Sequence, residues 1–152
     1  MNHDIEISRI FNAPRELVFQ AFVDPDQLAQ WFGPVGASLP RDTIEVDARV
    51  GGHLRFVMIT DDLTIQNPVD ATFTEFIENE LLVSDMRAEG VPGVEGILRA
   101  TLRLEFHDEG DGKTRLELRQ GPFDQEIGDQ TKAGWESSFT KLDAMLAGRG
   151  RR

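Results

Sequence analysis

Apolar and polar positions recur along this chain with a period that switches between two residues and about three and a half, and the switches divide it into elements. In IEISRIF (5–11), Ile5, Ile7 and Phe11 alternate with Glu6 and Ser8, the pattern of a strand with one covered face. Arg9 interrupts that face and leaves the register open. In NAPRELVFQAF, Pro14 suits a first helical turn, and Leu17, Val18, Ala21 and Phe22 fall on one helical face. A second helix is written into VDPDQLAQWFGP (23–34). Asp24 can cap it, Pro25 fits the first helical position, Gln27 stands where a capping-box partner belongs, and Gly33-Pro34 ends it. Leu28, Trp31 and Phe32 then share a face that is unusually aromatic for so short a helix.

From residue 42 onward the period is two. TIEVDARV leads into GGHLRFVMIT, where Leu54, Phe56 and Met58 alternate with Arg55 and Val57. DATFTEFIENELLVSDM reads as two strands turning at Glu78-Asn79-Glu80, although TFTEFIENELLVSD fits either facing. The clearest hairpin sets Leu98, Ala100, Leu102, Leu104 and Phe106 on one face and Arg99, Arg103, Glu105 and His107 on the other. It turns at DEGDG and returns with Leu116 and Leu118 between Arg115, Glu117 and Arg119. Such alternation means a sheet with one wet and one covered face. The cover is DQTKAGWESSFTKLDAML, whose Thr131, Trp135, Ser138, Phe139, Leu142 and Leu146 form a helical stripe. The sum is an α+β fold. One helix cannot fully cover a broad twisted sheet of six or seven strands, so loops and large side chains fill the remainder or a cavity is left.

The 152 residues, 39% hydrophobic, without repeat or linker, read as one domain spanning 1–152, with a core of about 5–147 and a frayed basic tail at 148–152. No cysteine is present, which excludes disulfides, thiolate chemistry and cysteine-ligated metals. Neither a signal peptide nor an apolar run long enough for a membrane span is found, so the expected location is the cytoplasm. A net charge of −11 disfavours nucleic acid as a partner and describes a self-repelling acidic surface.

Several blocks together resemble a known family: NAPRELVFQAFVDPDQLAQWFGP, DARVGGHLRFVM, the F-x-E-F-x-x-x-x-L-L pair of strands, LRLEFHDEGDGKTRLELRQGPF and GWESSFTKLDAML. Their order is similar to that in bacterial proteins related to the C-terminal domain of the activator of the heat-shock protein 90 ATPase, within the START-like (SRPBCC) superfamily. The resemblance implies a helix-grip fold of the START/Bet v type: a curved antiparallel sheet wrapped around the C-terminal helix, two short helices after the first strand, and a cavity in between. The superfamily includes lipid and hormone carriers, polyketide cyclases and chaperone activators. True activators carry a further N-terminal domain that this chain, beginning at the first strand of the grip, is expected to lack.

By that analogy Trp31, Phe32, Phe56, Met58, Trp135 and Phe139 line the cavity; the plainer alternative makes all six core filler. A lining of Phe, Trp and Met favours an apolar or aromatic guest. DDLTIQNP (61–68) and AEGVPGVEG (88–96) could gate it, the latter with Val91 and Val94 looking exposed; both also serve as plain connections. His3, His53 and His107 have no helical-spacing partners, and GG at 51–52 precedes a strand, so neither a metal, a cofactor nor a phosphate cradle is expected; no G-x-S-x-G element exists, which with the lack of cysteine narrows the nucleophile options. Acid–base catalysis is the one enzymatic route left, through Asp47, Glu75 or Asp85 if any faces inward. Arg49 stands at a position commonly basic in the family, where it could form a salt bridge or meet an anionic ligand. Three functions follow: binding of an apolar or aromatic small molecule, a chaperone-directed interaction module whose contact face includes Arg99, Arg103 and Arg115, and a cyclase-like or hydrolase-like enzyme. Edge strands of an open sheet allow a monomer or a homodimer.

Overall fold

In a computed structural model, residues 2–149 are described; Gly150, Arg151 and Arg152 of the expected basic tail lie outside them. The order is β1 (His3–Phe11), α1 (Arg15–Val23), α2 (Pro25–Trp31), β2 (Ala37–Ser38), a 3-10 turn (Arg41–Thr43), β3 (Glu45–Val46), β4 (His53–Thr60), β5 (Gln66–Ile77), β6 (Leu81–Ala88), β7 (Leu98–Gly110), β8 (Lys113–Phe123) and α3 (Gln125–Arg149). Seven strands run β1-β8-β7-β6-β5-β4-β2, all antiparallel, and the two-residue β3 pairs further along β4. The sheet curls around α3, which packs on β1 and β8 and against α2, so the fold is a helix-grip.

The alternation predicts the faces of β7 and β8 well. Leu102, Leu104, Phe106, Leu116 and Leu118 are buried, and each such side chain contributes about 1.5–3 kcal/mol by leaving water. On the opposite face the charged residues pair with one another: Arg103 with Glu105 at 2.8 Å, His107 with Glu105 at 3.0 Å, and Arg115 with Glu109 at 2.8 Å and with Glu117. The Arg103 hydrogen bond holds the Glu105 carboxyl below the usual carboxylate range, against an opposing push from burial.

Four local expectations change. Arg9 does not break the face of β1: its guanidinium lies over Phe11 and Phe139, 5.1 and 5.5 Å from the ring centroids, and bonds Asp143 on α3. A long side chain can keep the inward phase while its charge reaches a partner at the edge. TIEVDARV is not a strand throughout; only Glu45–Val46 pairs, because tight backbone bonds at Asp47, Arg49 and Gly52 fold the chain back on itself. Pro14 stands just before α1, its carbonyl accepting from Leu17 and Val18. The loop expected at 61–68 is shorter, since Gln66, Asn67 and Pro68 already belong to β5, opposite Ile59, Met58 and Val57.

The facing of β5 is settled by a bulge. Phe73 pairs with Ser84 and Glu75 with Val83, so Thr74 is an extra residue. Phe73 and Phe76 therefore both turn inward, their rings 5.5 Å apart and edge to face. Thr74 and Glu75 both turn out. A strict two-residue period has no phase that allows this.

Candidate functional site

Helix α2 is held at both ends as its residues require. Asp24 accepts from the Asp26 amide at 2.9 Å and from the Gln27 side chain at 3.1 Å, and Pro25 takes the first turn. The carbonyl of Ala21, near the end of α1, would normally accept from the residue four positions on, but that residue is Pro25 and has no N–H. Trp31 replaces the missing donor: its indole Nε1 donates to Ala21 O at 2.9 Å, with the ring fully buried against Phe22 and Phe139. Phe32 then leaves the helix in an extended conformation, and Gly33 at φ +100° turns the chain. The next residues are tied to α3, Val35 N donating to Ser137 Oγ at 2.8 Å and Lys141 Nζ reaching the Ala37 carbonyl at 3.3 Å. Burial pushes the Lys141 ammonium pKa down, partly opposed by Asp61.

This anchoring sets Phe32 at the centre of an aromatic wall, 5.2 Å from Phe56 and 5.3 Å from Trp135. On its far side lies a cavity of about 340 Å³ between β4–β8 and α3, whose lining also includes Pro34, Val91 and Gln130. Phe32, Phe56, Met58 and Trp135 line it together. Trp31 and Phe139 do not: both have no exposed surface and form the core behind the wall. The structure thus divides the six aromatic and methionine candidates into four that face the cavity and two that support them. A deeper void of about 20 Å³ shares Phe32, Phe56, Met86 and Trp135 with the cavity, so these four side chains form the partition between the two.

The sequence reading missed Met86, Ala88, Asn67 and Gln120 on the lining. Gln120 had a usable signal, being a polar residue in phase with the inward Leu116 and Leu118. Asn67, which the linear pattern places in a loop, belongs to β5, and its amide donates to the carbonyls of Glu89 and Gly90 at 3.1 and 2.7 Å and so fastens the 89–97 connection beside the cavity. Val91 and Val94 in that connection are half-buried, packed on the core, not exposed. No charged residue lines the cavity among the described residues.

The three carboxylates considered for acid–base work are turned elsewhere. Asp47 pairs with Arg49 at 2.9 Å, Glu75 lies 3.8 Å from Arg103 on the outer face, and Asp85 accepts from Thr101 there at 3.1 Å. His53 and His107 sit beside Glu45 and Glu105, and His3 beside Gly128. A groove of about 420 Å³ lies behind β4–β6 on the outer face. Its two arginines are already paired, Arg55 and Arg87 both reaching Asp70 at 3.4 and 3.3 Å, so an anionic guest there would compete with ion pairs in water. The inner cavity is the better candidate. Among the described residues no helix is long and apolar enough to cross a membrane.

Comparison with solved structures agrees with this architecture. The AHSA1 protein of Silicibacter pomeroyi superposes with a TM-score of 0.82 at 25% identity, covering 97% of this chain and 99% of that one. A Chromobacterium violaceum protein gives 0.81 at 24% identity over 95% and 97%, and CalU16 from Micromonospora echinospora 0.69 at 20% over 99% and 80%. No curated protein matches the chain. The family model for Activator of Hsp90 ATPase homolog 1-like proteins matches residues 12–147, which take in every element from the end of β1 through nearly all of α3, and the chain belongs to that family.

Proposed function

We propose that this protein binds an apolar or aromatic small molecule in the cavity between the sheet and α3. The observation that carries the reading is the cavity itself: about 340 Å³, walled by Phe32, Phe56, Met58 and Trp135, with no charged lining residue among those described. That volume is at the lower end of the range of small-molecule sites. Asp47, Glu75 and Asp85 lie outside it, so the proposed activity is binding without a carboxylate-assisted reaction.

The test is native mass spectrometry of protein purified gently from its own host, followed by denaturing extraction of any bound compound. A stoichiometric apolar adduct, lost when Phe56 is replaced by Leu in a protein that still folds, supports the reading. An empty protein that also fails to bind any member of a broad panel of apolar probes overturns it. The rival, an interaction module directed at a chaperone, would instead be supported by charge reversals at Arg99, Arg103 and Arg115 that abolish chaperone ATPase stimulation and leave probe binding intact.

A further inference from the structure

Five polar side chains line the cavity; Gln130 is exposed to water, and of the other four most are committed. Ser138 Oγ donates to Gly134 O at 2.8 Å and Thr131 Oγ1 to Ile127 O at 2.7 Å, both within α3. Asn67 spends its amide on the 89–97 connection. Gln120 is different. It projects inward from β8 and is 6% exposed. Its Oε1 accepts from Trp135 Nε1 at 2.8 Å, and since an indole N–H can only donate, the amide has one allowed orientation. Nε2 therefore faces the cavity, where its contact is Met86 Sδ at 3.2 Å. Thioether sulfur is a weak acceptor, and an amide nitrogen carries two protons. Among the described residues no oxygen accepts from Gln120 Nε2. A buried donor so poorly matched is costly unless something entering the cavity completes it.

We infer that Gln120 Nε2 is the polar anchor of the cavity and selects uncharged ligands that carry a carbonyl-type acceptor on an apolar body. This rests on the binding reading above and narrows its ligand class. The absence of a cation in the lining argues against a carboxylate or phosphate, whose burial without a partner is expensive. A pure hydrocarbon would leave the amide unanswered. A ketone, quinone, ester or lactone satisfies both requirements. The same geometry gives the Trp135 bond a purpose beyond packing: it holds the amide so that the donor side is presented to the ligand.

The test uses three probes of matched shape in calorimetry: 2-acetylnaphthalene, its alkene analogue 2-isopropenylnaphthalene, and 2-naphthoate. One neutral hydrogen bond should favour the ketone over the alkene about three- to tenfold more in the natural protein than in Gln120→Met. Because that substitution strands the Trp135 N–H, the double variant Gln120→Met with Trp135→Phe provides a second comparison without an orphaned donor. Infrared spectra of the carbon-13-labelled ketone give a readout that needs no variant: its carbonyl stretch should lie lower when bound than in hexane. Failure of all three probes to bind would overturn the cavity reading and this inference with it. Binding of ketone and alkene with a ratio indifferent to residue 120, together with an unshifted carbonyl band, would leave the cavity standing and overturn the role of Gln120. Naphthoate binding as tightly as the ketone would overturn the selection for uncharged ligands.

Discussion

Trp31 links two helices through one bond, and that bond can be removed alone. Its indole N–H serves the Ala21 carbonyl because Pro25 cannot. Replacing Trp31 with benzothienylalanine keeps the bicyclic shape and substitutes sulfur for the N–H, leaving a buried carbonyl without its partner. The loss of that interaction is expected to cost about 1–2 kcal/mol. Trp31→Phe removes the same donor and also opens a void where the larger ring met Phe22, Phe32 and Phe139, which adds on the order of 1 kcal/mol. The expected series in urea is therefore natural protein, then benzothienylalanine lower by about 1–2 kcal/mol, then phenylalanine lower by about 2–3 kcal/mol. Circular dichroism should follow the transition, and the slope with denaturant should stay constant if the compactness of both states is unchanged. A benzothienylalanine variant as stable as the natural protein, beside a destabilised phenylalanine variant, would show that Trp31 acts by volume only and that the capping argument is wrong.

Ala88 lines the cavity, and Ala88→Phe should fill it, weakening apolar probe binding at least about tenfold in calorimetry while the urea midpoint stays equal or rises. Gly134 also lines the cavity, in the middle of α3, and an added methyl would meet no atom within 4 Å; Gly134→Ala should stabilise the protein by about 1 kcal/mol through helix propensity and slightly reduce probe affinity, measured on the same samples. Glu105→Gln should destabilise by a few tenths of a kcal/mol near neutral pH, because the Arg103 and His107 bonds are partly solvent-screened. Since the folded-state pKa of Glu105 is lowered, its contribution is fully present above the unfolded glutamate value and disappears as pH falls through the lower folded one, so the gap between the variant and the natural protein in pH-dependent urea melts should close only below the ordinary glutamate range.

Where a residue's role depends on its near neighbours in sequence, the linear pattern was sufficient. Two-residue alternation placed Leu102, Leu104 and Phe106 inward and Arg103 and Glu105 outward, because a strand's side chains must alternate and the buried set must be apolar. The Asp24-Pro25 start and Gly33-Pro34 stop bounded α2 because caps and proline act within one turn. The stripe on α3 was legible for the same reason, its 3.6-residue period being local. The blocks quoted from the sequence carried the family and the helix-grip fold with them.

What the sequence left open were questions about two bodies at once. The bulge at Thr74, which turns Phe73 and Phe76 to the same side and Glu75 to solvent, exists only through pairing with β6, and its extra residue defeats any single period. Trp31 and Phe139 look no different from Phe32 and Trp135 in a linear reading, since all four are aromatics on helical stripes. Which pair lines the cavity and which supports it depends on how α2 sits between the sheet and α3, and the extended step at Phe32 makes that choice. Gln120 has an inward phase written in the sequence, but the direction of its donor is set by Trp135, fifteen residues away on another element. The sequence by itself determined most elements and faces because those follow from short-range periodicity and sterics, and its motif blocks carried the family by resemblance. Only the tertiary structure decided which inward side chains meet empty space, because a cavity is the volume that packed elements fail to fill, and no single element contains it.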